Sequence, residues 1–337
     1  MFHATSWHHP PLTSRRLATV VALLVVLLVA AGLLAISVGS VSIPPATVLK
    51  TLLGADGVTE AERTIVLGIR LPRVLLAMCV GAGLSVAGLV FQALLRNPLA
   101  EPYILGISSG GTAGTLLALT LSLGTFGTPV ASFAGSALVM VLVYSVAQRR
   151  GQIDTHALLM AGVMIGAFFN AVVLLLIAIM DRELRHAYLW LMGNLSSATA
   201  ESTLLVAPFV VISSLFLFFL AKSYNLIATG DEGAMQLGVN VRTVKRVSYL
   251  AGSLITGLVV SVSGVVGFVG LVVPHVCRMV FGPDHRLLLP ASFLSGAIFL
   301  LLADLLARTM LAPVEIPVGA VTAAIGAPVF IYLLRRT

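Results

Sequence analysis

LATVVALLVVLLVAAGLLAISV, residues 17–38, contains no charged side chain and no alternation of apolar with polar positions. As a helix rising about 1.5 Å per residue, it covers the roughly 30 Å hydrocarbon thickness of a bilayer. Backbone polar groups in hydrocarbon must be bonded within their own segment or in a closed barrel. A barrel strand would alternate lipid-facing and lumen-facing residues, so the continuous run selects a helix. Ser14-Arg15-Arg16 just before it resembles the opening of a secretory or twin-arginine signal. The run is longer than a usual signal h-region and no small-x-small site closes it, which predicts an uncleaved first span.

The rest of the chain repeats this pattern. Of 337 residues, 58% are hydrophobic and 10% are charged, against about 25% charged in an ordinary soluble domain. That is too little polar surface to cover a water-facing globule. The expected fold is an all-α polytopic membrane protein forming one transmembrane domain. Ten spans are predicted, at 17–38, 74–95, 103–122, 128–147, 156–180, 202–221, 244–262, 265–281, 290–310 and 317–334. With residues 1–16 and the C-terminus in the cytoplasm, Lys50, Arg63, Arg70, Arg73, Arg182, Arg185 and Arg308 fall outside. The remainder of the 20 Lys and Arg residues fall inside. This bias satisfies the positive-inside rule and accounts for the net charge of +7. No basic run exceeds two residues and none is interleaved with aromatics, so nucleic acid is not an expected partner. In the outer loop 39–73, Ser42-Ile43-Pro44-Pro45 predicts a short surface helix with Ser42 as its cap. Residues 222–243 form the longest polar interruption on the inside.

Several residues stand out within the spans. Gly81, Ser85, Gly88 and Gln92 share one helical face, as do Gly162, Gly166 and Asn170. Such faces serve close helix packing or pore lining, and spacing does not separate the two. Asp304 and Arg308 lie one turn apart; the alternatives are a proton-relay acid and a local ion pair. Pairing is the expectation, because relays need several acids. His275 follows Pro274 with no other ligand at metal spacing, and is expected to be a satisfied structural histidine. Cys79 and Cys277 have no partner at ligand spacing either, so no metal site is expected. No Gly-x-x-x-x-Gly-Lys-Ser/Thr loop is present. If ATP drives this chain, its phosphates bind elsewhere.

A series of motifs then runs in order along the chain. Arg70-Leu71-Pro72-Arg73 opens the second span, and Arg96-Asn97-Pro98-Leu99-Ala100-Glu101-Pro102 follows it. Gly267-Phe268-Val269-Gly270-Leu271-Val272-Val273-Pro274-His275 comes next, with Asp284-His285-Arg286, Ala303-Asp304, Glu315-Ile316-Pro317 and Gly326-Ala327-Pro328 beyond it. From about residue 17 onward the chain resembles the FecCD family, the permease subunits of importers for iron siderophores, haem and cobalamin. The resemblance implies a type II ABC importer permease of ten helices, N-in and C-in, pairing as a homodimer in the bacterial inner membrane. It implies two cytoplasmic ATP-binding subunits that carry the ATP and Mg, and a periplasmic substrate-binding protein. The permease itself would hold no cofactor and do no catalysis.

The resemblance also implies roles for particular residues. Arg70, Arg73 and Arg308 match positions that dock acidic residues of the binding protein. Asp231, Glu232, Gly233, Ala234 and Gly238 match the loop that couples to the ATPase, with Gly233 where the wider motif often has Ala. Asn97 and Leu99 match one inner gate. Thr155 and His156 stand at the other, where a smaller hydroxyl residue is the pattern. Gln92 and Asn170 are assigned to the pathway. The alternative function is a proton-coupled secondary transporter of a small molecule.

Overall fold

The computed structural model describes residues 12–39, 41–149, 152–180, 184–312 and 314–336. Arg150, Arg182 and residues 1–11 lie outside that set. The first apolar run is helix α1, Ser14–Ser37, with the Thr13 side chain accepting from the Arg16 N–H at its start. The predicted surface helix is α2, Pro45–Leu52. Ser42 does not cap it: the helix begins only at Pro45, with Pro44 at the cap position and no side-chain cap bond. The physical reason is the tandem proline, since a residue before proline is pushed out of the helical region. Pro44 accordingly has ψ 139°.

Much of loop 39–73 is helical. A reciprocal cap between Thr59 and Glu62 starts α3, Glu60–Arg63. A π-helical stretch, Thr64–Arg70, joins it to α4, Leu71–Leu95, giving one rod over Glu60–Leu95. Pro72 has no N–H to bond backward. The turn before it is wide, with Leu71 N–H reaching Val66 O. This rod is the centre of the molecule, and α9, α12, α13 and α14 all pack on α4.

Further along come α5 (Ile107–Thr120) and α6 (Gly124–Ala147). Two-residue strands Gln148–Arg149 and Gln152–Ile153 pair antiparallel and lead into α7 (Thr155–Ile179). Then follow α8 (Leu184–Leu191), α9 (Ala200–Phe219), α10 (Ala221–Ala228) and α11 (Asp231–Gln236). The chain closes with α12 (Val241–Ser263), α13 (Val269–Phe281), α14 (His285–Thr309) and α15 (Val318–Arg336). Among the described residues, 7 helices are long and apolar enough to cross a membrane. Shorter apolar helices α5, α13 and α15 occupy the three remaining predicted spans.

Two of those spans are short because their chains enter as irregular backbone. The Pro102–Leu105 turn precedes α5, and Gly264 to Phe268 precedes α13. These breaks meet and satisfy one another. Phe268 N–H donates to Glu101 Oε1 at 2.7 Å. Tyr103 Oη accepts from Val266 N–H at 3.0 Å and donates to Val266 O at 2.9 Å. Irregular backbone within a membrane protein persists only where such partners exist.

The helix faces of small residues are packing seams. A Cβ added to Gly81 would lie 2.2 Å from Gly296 O, and one on Gly88 would lie 1.9 Å from Gly270 O. Gly162 and Gly166 press on Leu105 and Gly106 in the same way. Backbone-to-backbone contact of this kind is how apolar helices associate without a hydrophobic drive. The peripheral helices turn large side chains such as Val26, Phe168 and Phe219 outward.

Candidate functional site: an outer arginine cluster and an inner cavity

At the outer end, α1 finishes with unpaired carbonyls, as every helix does. Arg70 NH1 donates to Ile36 O at 2.6 Å and Ser37 O at 3.1 Å, and Arg70 NH2 donates to Val41 O. Arg308 NH2 donates to Ala35 O. Guanidinium groups are favoured there by both hydrogen bonding and the helix dipole. Arg73 bridges two acids, meeting Asp304 Oδ1 at 3.0 Å and Glu315 Oε2 at 3.0 Å.

The expected pairing of Asp304 with Arg308 is present, and a closer partner joins it. Asp304 pairs chiefly with Arg73 from another helix; Arg308 Nε stands 3.8 Å away, an ion pair without a hydrogen bond. Asp304 is fully buried, so the bidentate fork of Arg73 suits it better than a neighbour one turn along. The three arginines are largely buried within this chain. Arg70, Arg73 and Arg308 are 6%, 9% and 7% exposed. With Glu315 they line a concavity of about 200 Å3.

Gln92 likewise turns inward, by pairing across helices. Its Nε2 approaches Ala100 O, Gly270 O and Leu271 O at 3.3–3.4 Å, and its Oε1 accepts from Arg278 at 3.0 Å. Gln92 is thereby buried between α4 and α13. Asn170 is the contrast: it is exposed halfway along α7, where only 17% of the most apolar window is buried. His275 is not the satisfied histidine expected. Its two ring nitrogens have no hydrogen-bond partner among the described residues, and the ring meets Phe330 edge-on at 6.4 Å. Among the described residues, no cluster of His, Cys, Asp and Glu fits a metal ion, and both cysteines are free.

At the inner end the chain builds a cavity of about 740 Å3. Arg96 and Asn97 reach it where α4 stops, Asp154, Thr155 and His156 where α7 starts, Asp231 from α11 and Lys245 from α12. The end of α4 is shaped by Arg96 in the left-handed region, φ 47°, and by Asn97 Oδ1 accepting from Leu99 N–H at 2.9 Å. Asp154 caps α7 through the Ala157 N–H. His156 is exposed on the cavity wall and Leu99 is partly exposed beside Asn97. The structure thus brings Asn97, Thr155, His156 and Asp231 together, although up to 134 residues separate them in sequence. Lys245 was counted from sequence only as an inside charge. Its Nζ lies 2.5 Å from Asp231 Oδ2.

The 222–243 segment folds as α10, a turn and α11. Gly230 at φ 130° and Gly238 at φ 85° flank α11, backbone states that favour glycine. No atom lies within 4 Å of a Cβ built on Gly238, so conformation and not space calls for glycine there. Ala234 is buried, Glu232 is exposed, and Met235 and Leu237 are 51% and 67% exposed. Gly233 has only the Thr229 hydroxyl within reach of a Cβ, at 4.0 Å, so alanine would fit.

Residues 26–336 match the model of the FecCD transport family. The chain is 44% identical to the cobalamin import system permease protein BtuC of Halobacterium salinarum, over 83% of this chain and 75% of that one. It is 43% identical to the hemin transport system permease protein HmuU of Yersinia pestis, over 93% and 94%. Among solved structures, an inward-facing metal-chelate type ABC transporter superposes with a TM-score of 0.84 at 32% identity, covering 95% of this chain and all of that one.

Proposed function

Because the chain belongs to the FecCD transport family, the membrane-spanning permeases of ABC importers, we propose that its cargo is an iron chelate (siderophore or haem) or cobalamin. The direction is periplasm to cytoplasm, across a bacterial inner membrane. The permease performs no catalysis; family membership brings ATPase partners and a second permease. In the proposed assembly two copies of this chain pair, two ATPase chains carry ATP and Mg on the cytoplasmic side, and a periplasmic binding protein delivers cargo.

The observation that carries this reading is the inner cavity. Asn97 with Leu99 and Thr155 with His156 act as the two sides of a gate, and α11 stands at its wall. Asp231, Glu232, Gly233, Ala234 and Gly238 form the coupling segment, and its exposed Met235 and Leu237 give an ATPase an apolar surface to grip. Asn170 supports a pathway along α7, since an exposed amide deep in an apolar helix needs water or a polar cargo beside it. Gln92 serves that pathway indirectly, by fixing α4 to α13.

Docking of the binding protein falls to the outer concavity. Arg70, Arg73 and Arg308 are already held by carbonyls and carboxylates of this chain, so an incoming acid meets oriented donors.

The test is uptake into proteoliposomes holding this chain with its ATPase and binding protein. Radiolabelled cobalamin, hemin, a ferric hydroxamate and ferric citrate form the panel. ATP-dependent, vanadate-sensitive uptake of one of them is expected. Uptake that ignores vanadate and follows a proton gradient would establish the secondary transporter instead.

A further inference from the structure

Among the three cations in the first two turns of α12, one is withdrawn from water. Arg242 and Arg246 are exposed, whereas Lys245 keeps 5% of its surface. Its ammonium bonds Asp231, the first residue of α11, and both side chains form part of the gate-cavity wall. Asp231 Oδ1 is buried without a hydrogen-bond partner, so the carboxylate reaches the helix bundle through Oδ2 and Lys245. The remaining attachment of α11 is modest: it is six residues long, its one buried side chain is Ala234, and it packs on α10 and α12.

We propose that Lys245 is the positioning residue that ties the coupling helix to the inner gate. Through the Lys245–Asp231 pair, the inner end of α12 follows α11, so that displacing α11 reshapes the cavity between Asn97 and Thr155. This rests on α11 being the segment an ATPase moves. Lys245 is the buried member and Asp231 keeps 31% of its side-chain surface, so removing the carboxylate leaves the ammonium as a buried charge that seeks water. The link is therefore anchored on the Lys245 side and is lost when either partner is neutralised. Rigid-body coupling needs a connection of that kind, because a loop alone absorbs displacement.

The experiment reads the gate without any cargo. In the reconstituted complex, Leu159→Cys on the cavity wall, with Cys79→Ser and Cys277→Ser, is labelled from the cytoplasmic side with a membrane-impermeant maleimide. Labelling rates are compared with and without ATP plus vanadate, alongside ATP hydrolysis. With Lys245 intact the two rates differ roughly tenfold, within the usual range of coupling between sites. Lys245→Met and Asp231→Asn bring the ratio close to one while hydrolysis continues. Lys245→Arg, or the exchange of Lys245→Asp with Asp231→Lys, restores it; exposed Arg246→Met leaves it unchanged. The proposal is overturned if both neutral variants keep the full ratio, or if neither charge-retaining variant restores it. A parent protein whose labelling ignores nucleotide would instead bring down the assignment of α11 as the coupling helix, and the proposal with it.

Discussion

Asp304 is a buried carboxylate whose hydrogen-bonded counter-charge is Arg73, with Arg308 a more distant second. Arg73→Met leaves that charge with only the longer Arg308 contact and no hydrogen bond, and a loss of about 3 kcal/mol is expected. Adding Asp304→Asn removes the stranded charge, so the double variant is expected to be more stable than Arg73→Met alone. Thermal unfolding of the four proteins in one detergent measures the coupling. Asp284 works at the opposite face, capping α14 and holding Arg286 at 2.6 Å and Asn225 at 2.8 Å. The Arg286 hydrogen bonds, foremost, hold its carboxyl down at about 2. A depressed folded value means a contribution present above the ordinary value near 4 and lost as pH falls towards 2. Asp284→Ala is expected to cost about 1 kcal/mol at pH 7. The same deficit persists at pH 5 and shrinks below pH 4, which unfolding curves along a pH series will show. At this scale the sequence marked the right residue types but missed the closer partner. Arg73 and Asp304 are 231 positions apart, while Arg308 is four away, and a one-dimensional reading favours the neighbour.

At the scale of elements, the long spans were legible because composition alone decides whether 20 residues can sit in lipid. The breaks were not. Nothing local says that Glu101 and Tyr103 will satisfy the backbone of Val266 and Phe268, 163 to 167 residues on. The small-residue faces stood between packing and pore lining until backbone distances separated the two. Gly88 is the sharpest instance, since α4 and α13 touch there through Gly270 O. Gly88→Ala drives a methyl into backbone that cannot turn aside. A loss of about 1–3 kcal/mol is expected from overpacking, and it should also disturb Gln92, one turn below, where it bonds Leu271 O. Gly238→Ala imposes a different strain, through a positive φ in open space, and leaves the helix crossing intact. Unfolding temperatures of the two variants compare the effects directly. An unaltered value for Gly88→Ala would mean that the crossing is looser than its geometry.

For the molecule as a whole, the two faces are built on different physics. On the outer face Arg70, Arg73 and Arg308 also hold the fold together, capping α1 and neutralising Asp304. The inner face keeps Met235 and Leu237 in the open, on a short helix and the turn beyond it. Met235 and Leu237 gain little from packing on this chain, and they sit on the polar segment between α9 and α12. Burying a side chain of either type contributes roughly 1.5–3 kcal/mol, and a docked ATPase is the partner that family membership supplies. Met235→Glu and Leu237→Glu should therefore leave unfolding temperature and helix content unchanged while weakening ATPase association. Each is expected to raise the dissociation constant by roughly tenfold or more, given that 1.4 kcal/mol is a factor of ten. Titration of labelled ATPase onto permease in nanodiscs measures this. Lys245→Met supplies the contrast, because it cuts the link behind the docking surface while leaving the surface in place. Binding should survive there while the gate ceases to respond. If the Met235 and Leu237 variants bind normally and Lys245→Met does not, grip and transmission have been assigned to the wrong residues.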